Sequence, residues 1–209
     1  MIKEKDFVEL EYTGKLEDGT IFDTTSAEVA KENNVFNPQA HYHPMIVCMG
    51  QNQLVPGLEK AIIGKEPSTF TVNLQPEEAF GKKDAKLIQL IPTNKFRQNK
   101  INPAPGLQVN VDGSVGIVKT VSGGRTVVDF NHPLSGKALS YEVTITRIVT
   151  DKKEKVNAVL HSLLGHVEAD VKDDKATIKL PQELPPQIQE ALTKQLQDLT
   201  GIKEVEYKK

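Results

Sequence analysis

A phenol, an aromatic ring and a carboxylate lie close together near the start of the sequence. Phe22 and Asp23 are adjacent, and the dipeptide Asp18-Gly19 separates them from Tyr12. Asp-Gly between two apolar-flanked stretches is typical of a hairpin turn, so the run predicts two paired strands. These residue types offer an apolar wall polarised by one carboxylate. Taken alone, Asp23 could equally be a turn acceptor, and the apolar residues could be plain core.

Three motifs carry a resemblance to a known family. The run Tyr12–Asp23, Y-T-G-K-L-E-D-G-T-I-F-D, resembles the signature of FKBP-type peptidyl-prolyl isomerases. Leu54–Glu59, L-V-P-G-L-E, resembles the strand-to-helix floor of that family's pocket, and Glu78–Gly81, E-A-F-G, resembles its A-Y-G rim. Because all three recur in family order, the resemblance implies an α+β fold in which an antiparallel sheet wraps a short helix.

The resemblance implies isomerisation of X–Pro bonds. Rotating an X–Pro amide costs ~18–20 kcal/mol because the twisted state loses C–N resonance. The twisted amide is less polar than the planar one, so a dry apolar pocket favours it, and neither cofactor nor metal is expected. The family assigns catalytic roles to Tyr12, Phe22, Asp23, Val55, Leu58, Phe80 and Tyr141. It assigns substrate contact to Met45, Val47, Leu54, Leu134 and Leu139.

Individual roles follow from the same resemblance. Tyr12 and Asp23 would share a hydrogen bond, and Asp23 would polarise the wall near the prolyl carbonyl. The Val55 backbone N–H would reach a substrate carbonyl. Phe80 replaces the tyrosine usual at the rim, and losing one neutral hydrogen bond costs about 0.5–1.5 kcal/mol. We therefore expect weaker macrolide binding with surviving catalysis.

Between Leu87 and Asn131 the sequence changes to short apolar runs separated by turns such as Asp112-Gly113. A small all-β module in this place resembles the insert-in-flap domain of SlyD-type FKBPs, which binds unfolded chains. Its apolar strands could receive an extended segment by strand addition, although half of the candidates must form the module's own core. The candidates are Val109, Val111, Val115 and Ile117.

The rest of the chain divides into recognisable elements. We expect strands over 7–12, 45–49, 70–74, 107–111, 115–118, 126–130 and 138–149, a helix through Leu58 that ends by Gly64, and a long loop or short helix over 24–44. The implied domains are residues 1–86 with 132–150 for the isomerase, 87–131 for the insert, and 151–209 for a C-terminal α/β domain.

The C-terminal domain resembles the extra domain of long archaeal FKBPs, which serves association. Val156, Val159, Leu160, Leu163 and Leu164 form one stripe of a helix. A hairpin over 167–180, a helix opened by Pro185-Pro186 and a last strand over 202–207 are expected to follow. About 59 residues give a marginal core, so we expect a homodimer through this domain. Packing on the isomerase lobe, or a second chaperone surface, are the alternatives.

Composition limits the remaining partners. A net charge of −2 argues against a general nucleic-acid binder. The insert has basic residues, but it lacks the interleaved aromatic residues on which the bases of a nucleic acid would stack. The N-terminal residues lack a signal-peptide core and no run approaches ~20 apolar residues, so we expect a cytoplasmic protein without a membrane partner. The single cysteine, Cys48, excludes an internal disulfide. With His41 and His43 it makes only a weak metal candidate, and solvated loop histidines are favoured.

These observations predict a cytoplasmic peptidyl-prolyl isomerase that accelerates proline-limited folding and holds unfolded chains. The alternative is a non-catalytic holdase or interaction module, and Phe80 is the residue that favours it. Proline-limited refolding separates the two, because a holdase slows refolding while an isomerase accelerates it.

Overall fold

The structure is a computed structural model that describes residues 1–165, 167–180, 182 and 184–208, so Lys209, the predicted last residue of the third domain, lies outside it. In chain order the described elements are β1 (Phe7–Leu16), β2 (Ile21–Thr24), α1 (Ala27–Glu32), β3 (Met45–Cys48), α2 (Pro56–Ile62), β4 (Thr69–Leu74), β5 (Ile88–Pro92), α3 (Thr93–Gln98), β6 (Gln108–Val111), β7 (Ser114–Ser122), β8 (Arg125–Asp129), β9 (Leu139–Val149), α4 (Lys152–Leu164), β10 (Ala169–Lys172), β11 (Lys175–Lys179), α5 (Pro186–Thr200) and β12 (Glu204–Lys208). The chain separates into two compact units, Met1–Leu74 with Leu139–Lys209, and Gln75–Ala138.

The first unit is built on an antiparallel sheet in the order β2-β1-β9-β4, with β3 also paired to β1. The long pairing of β1 with β9 runs from Phe7 opposite Val149 to Leu16 opposite Leu139. Helix α2 begins at Pro56, which suits the first helical position because proline has no N–H to lose there. The mixed α+β class and the antiparallel sheet are as predicted.

The C-terminal elements pack on this first sheet. Strands β10, β11 and β12 form their own sheet, in which β12 runs parallel to β11. Their core is continuous with Phe7, Cys48 and Val149 of the first sheet. Arg147 of β9 ties the two parts together, because its guanidinium donates to Glu9 at 2.7 Å and in bidentate fashion to Glu154 at 2.8 and 2.9 Å. Val156, Val159 and Leu160 of the α4 stripe are therefore buried within the same chain, while Leu163 is exposed.

The second unit is a four-stranded antiparallel sheet in the order β5-β8-β7-β6 with one short α-helix and two single-turn 3-10 helices, Pro76–Glu78 and Ala85–Leu87. Its small core contains Ile91, Phe96, Val109, Val118 and Val128. The three strands expected from the sequence are present. Strand β5 and helix α3 were not anticipated, because a five-residue strand followed by a six-residue helix presents too few residues to show a period.

Candidate functional site

The β1–β2 hairpin places the phenol and the carboxylate together. Gly14 pairs with Asp23 across the hairpin and with Tyr141 on the other side of β1. The Tyr12 hydroxyl donates a 2.7 Å hydrogen bond to the Asp23 carboxylate. The Thr25 hydroxyl accepts a 3.0 Å hydrogen bond from the Tyr12 backbone N–H, which fixes the strand ends. The hydrogen bond expected between Tyr12 and Asp23 is therefore formed.

Three aromatic rings make the apolar part of this site. Tyr141 lies edge-on to Tyr12 with ring centroids 5.9 Å apart, and edge-on to Phe22 at 5.7 Å. Gly14 lies under the Phe22 ring, where an added Cβ would come within 2.6 Å of Cζ. Any other residue at this position would displace the ring, so the glycine in the hairpin motif has a packing reason. The rings form a rigid apolar wall beside one carboxylate.

Burial and the neighbouring charge keep both phenols protonated. Burial raises the pKa of Tyr141 to about 12, and the Asp23 charge contributes in the same direction. The pKa of Tyr12 is raised further, first by burial and then by its hydrogen bond to Asp23. At neutral pH the Tyr12 hydroxyl is therefore a donor, and Asp23 retains its other acceptor positions for the cavity.

A cavity of about 410 Å³, here called the hairpin cavity, opens beside these residues. Tyr12, Phe22, Asp23 and Met45 line it together with residues from the segment between β2 and β3. The residues that sequence reasoning missed are Thr24, Thr25, Val35, Asn37, Ala40, His41, Tyr42 and His43. Tyr42 stacks on Phe36 at 5.2 Å and its hydroxyl accepts from the Asn37 N–H at 2.8 Å. The sequence signal for this part of the cavity was the presence of aromatic residues within an otherwise polar segment.

The other predicted residues of the first unit lie outside the hairpin cavity. Leu58 on α2 and Leu139 on β9 are buried core residues. The Val55 carbonyl accepts from the Leu58 and Glu59 N–H groups and so caps the start of α2. Val47 shares a face of β3 with Met45 but does not line the hairpin cavity, and Leu54, Val55 and Tyr141 do not line it either.

The predicted rim residue Phe80 belongs to the second unit. Its ring stacks on His132 with centroids 4.3 Å apart and an interplanar angle of 3°. The Ser135 hydroxyl donates to the Phe80 carbonyl at 3.0 Å, and Leu134 donates its N–H to the His132 ring at 3.2 Å. The rim motif and the segment 132–135 are thus held together.

The insert candidates divide between the two faces of its sheet. Val109 is buried and Val111 packs beside it in the core. Val115 is 53% exposed and Ile117 is partly exposed, and both lie on the opposite face. Two of the four candidates therefore form core, which leaves the other two accessible.

The histidine pair lies between β2 and β3, with ring centroids 6.4 Å apart. Cys48 is buried, and burial raises the pKa of its thiol to about 11. Within the described part of the chain, no group of three or more His, Cys, Asp or Glu side chains has the arrangement of a metal site.

Comparison with known proteins gives the family. Residues 1–98 match the family model described as FKBP-type peptidyl-prolyl cis-trans isomerase, and residues 89–134 match the one described as FKBP26, IF domain. A short-type peptidyl-prolyl cis-trans isomerase from Methanocaldococcus jannaschii is 33% identical over 155 residues, which cover 74% of this chain and 98% of that protein. The chain belongs to the FKBP-type peptidyl-prolyl cis-trans isomerase family.

Two bacterial relatives extend the comparison. The SlyD isomerase of Haemophilus influenzae is 29% identical over 165 residues, covering 77% of this chain and 76% of that protein. A 16 kDa FKBP-type isomerase of Escherichia coli is 31% identical over 143 residues, covering 66% of this chain and 87% of that protein.

Family membership confirms the predicted enzyme class, a peptidyl-prolyl isomerase that acts on proline-containing polypeptides. Among the residues that the structure describes, no helix is both long and apolar enough to span a bilayer.

Proposed function

We propose that this FKBP-type isomerase twists X–Pro bonds in the hairpin cavity and holds its unfolded substrates on the insert. The observation that carries the first part is the Tyr12–Asp23 hydrogen bond within a wall of three aromatic rings. An apolar wall favours the twisted amide because that amide is less polar than the planar one. Metal and nucleophile have no part in this step, since no bond to carbon forms or breaks.

In this proposal each polar group has one task. Tyr12 orients the Asp23 carboxylate through the 2.7 Å hydrogen bond. The carboxylate lies at the cavity wall, where it acts on the polarised prolyl carbonyl. Neither Val55 nor Leu58 lines the hairpin cavity, so in this proposal the Val55 N–H, at the start of α2, would reach substrate backbone that extends beyond the cavity, and Leu58 would form the floor there. Phe80 lies in the second unit and lacks the hydroxyl that its family usually has at the rim.

The insert would bind unfolded chains on one face of its sheet. We call this the outer face and define it by Ile88, Leu90, Val115, Ile117 and Val127. Cross-strand partners share a face, and Leu90 lies opposite Val127 while Ile88 and Ile117 both lie opposite Asp129. Ile88 is 42% exposed, Leu90 58% and Val115 53%. Apolar residues this exposed and this close together are typical of an interaction surface.

The charge within the outer face is neutralised in place. Lys83 donates to the Asp129 carboxylate at 2.9 Å, and Lys119 lies 3.9 Å from it. Burial alone would raise the pKa of Asp129, but the hydrogen bonds from Lys83 and Asn131 lower it to about 2. The carboxylate is therefore ionised and paired at neutral pH, and it leaves the apolar side chains around it available to an uncharged segment.

The whole proposal is tested by proline-limited refolding of a model protein. We expect catalytic amounts of this protein to accelerate the slow phase, because bond rotation limits that phase and takes tens of seconds uncatalysed. Refolding is followed by fluorescence with and without the protein. Slower refolding in proportion to added protein would instead identify a holdase and reject catalysis on folding chains.

We also propose that the C-terminal domain, residues 151–209, forms a homodimer. Leu163 on α4 and Ile188 on α5 are each 49% exposed, although the neighbouring stripe residues are buried against the first sheet. Light scattering of the intact chain should give the mass of a dimer at micromolar concentration, and the double variant Leu163→Asp with Ile188→Asp should give a monomer. A monomeric intact chain rejects the dimer, and an equally dimeric variant places the contact elsewhere.

A further inference from the structure

The first unit has a second groove, which Tyr12 and Asp23 do not line. It has a volume of about 730 Å³ and runs between strand β3 and helix α4, so both the isomerase lobe and the C-terminal elements contribute to it. We call it the β3 groove. Its lining includes Ile46, Gln51, Gln53, Asn157, Ala158 and Ser162.

One side of the groove is the open edge of β3. Within the described sheet β3 pairs with β1 alone. The Met49 N–H donates to the Asp6 carbonyl at 2.9 Å, towards β1, whereas the Cys48 N–H donates to the Gln53 side chain at 2.7 Å. Because backbone groups alternate in direction along an antiparallel strand, the Ile46 N–H and C=O share the direction of Cys48, away from β1. The groove therefore contains a strand edge with backbone groups directed into it.

The other side is formed by helix α4, where the Glu154 carboxylate is already paired and His161 also lines the groove. Glu154 is engaged in the bidentate pair with Arg147, and the Asn157 side chain accepts the Ala169 N–H at 2.8 Å. Ala158 and Ser162 are small, so they leave room beside the strand. Apart from His161, this wall consists of a paired carboxylate, one amide and small residues, which suit the uncharged backbone of an extended chain better than a charged ligand.

The β3 groove adjoins the hairpin cavity. His41, His43 and Met45 line both of them, while Asp23 lines only the cavity and Ile46 only the groove. A polypeptide with its prolyl bond beside Asp23 would need to pass only this short segment to reach the edge of β3.

We propose that the β3 groove is a subsite for the substrate chain flanking the isomerised proline, which adds to β3 as a further strand. The inference rests on the proposed function, because it takes the hairpin cavity as the place of catalysis. The occupant is an extended, uncharged stretch of the same polypeptide. Main-chain hydrogen bonds give such strand addition its affinity, so the site would accept many sequences. Helix α4 then has a part in recognising long substrates.

The test compares a tetrapeptide with an unstructured peptide that contains the same tetrapeptide and extends beyond it. In Ser162→Trp the indole would fill the groove from α4, and we expect KM for the long peptide to rise about tenfold, the value of one or two lost hydrogen bonds. Its kcat/KM for the tetrapeptide should stay within about twofold. Lys153→Trp is the control, since Lys153 is exposed on the same helix but does not line the groove.

A second variant and a second readout separate this subsite from a structural effect. Gln51→Trp fills the groove from the opposite side, so it should also raise KM for the long peptide and leave kcat/KM for the tetrapeptide nearly unchanged. This variant tests the subsite even if Ser162→Trp fails to fold. In the long peptide, N-methylation at successive flanking positions should raise KM at alternate positions only, because every second N–H of an added strand faces β3.

The subsite would be overturned if the tryptophan variants lost activity equally on both peptides or on neither. It would also be overturned if the KM of the N-methylated peptides did not alternate with position. A change in oligomeric state with an unchanged KM would assign the groove to a second copy of the chain and overturn it as well. Absence of tetrapeptide activity in the unmodified protein would instead reject the proposed function itself.

Discussion

Replacing Asp23 by leucine is expected to lower kcat/KM for a proline-containing tetrapeptide by at least about tenfold, a conservative bound because removing one preorganised polar group can cost about 10²–10³ in rate. The Asp23 carboxylate is the polar group of the apolar wall that the proposed mechanism uses, and leucine removes its charge at similar size. Asp23 itself is exposed, so the substitution should cost little stability. A coupled or NMR exchange assay measures the rate, and circular dichroism confirms the fold.

Two matched variants sharpen this prediction. Glu17→Leu removes an exposed carboxylate from the same hairpin and should leave activity unchanged. Tyr12→Phe retains the ring but removes the 2.7 Å hydrogen bond to Asp23, so it should give a smaller loss than Asp23→Leu. Full activity of a natively folded Asp23→Leu protein would remove Asp23 from the mechanism.

Tyr141 is a less direct probe of the same wall. Its side chain is 4% exposed and contacts both Tyr12 and Phe22. Truncating a buried aromatic residue to alanine costs about 3–5 kcal/mol, a large part of the stability of a typical domain. A loss of activity in Tyr141→Ala would therefore combine catalysis and folding, whereas Asp23→Leu separates them.

The sequence predicts those parts of the molecule whose signals are local. The Asp18-Gly19 turn marks the β1–β2 hairpin, and the stripe that starts at Ile188 marks α5. Helix α5 ends at Gly201, which adopts the left-handed conformation that glycine accepts readily. In each case a few neighbouring residues determine the conformation, so their types and spacing are sufficient to predict the element.

The rest depends on contacts between distant segments. The segment between β2 and β3 has no regular period, and contacts such as Phe36 with Tyr42 shape the wall that it adds to the hairpin cavity. The docking of α4 against Phe7 and Cys48 was only one of three alternatives, because an apolar stripe does not specify its partner. The β3 groove exists only because of that docking, so no local pattern could have indicated it.

The outer face of the insert carries the second large prediction. The double variant Leu90→Asp with Val115→Asp should lower the catalysed refolding rate of an unfolded protein by about a hundredfold, while kcat/KM for a tetrapeptide changes less than about twofold. The reason is a division of tasks: the cavity acts on one bond, whereas the outer face raises the local concentration of a chain that offers many apolar residues. A variant in which a short flap replaces Leu87–Asn131 shows how far the catalysed refolding rate falls when the whole outer face is absent.

The control adds the same two charges to the same strands on the other face. Gln89 lies opposite Val128 and Ser114 lies opposite Val111, so both share the side of the sheet that carries the insert core, yet both are exposed. Gln89→Asp with Ser114→Asp should therefore retain refolding activity if the outer face binds the substrate. If both pairs of substitutions reduce refolding equally, the charge alone explains the loss. If Leu90→Asp with Val115→Asp matches the unmodified protein, unfolded chains do not bind through this face, and strand addition at the free edges of β5 or β6 becomes the explanation to test.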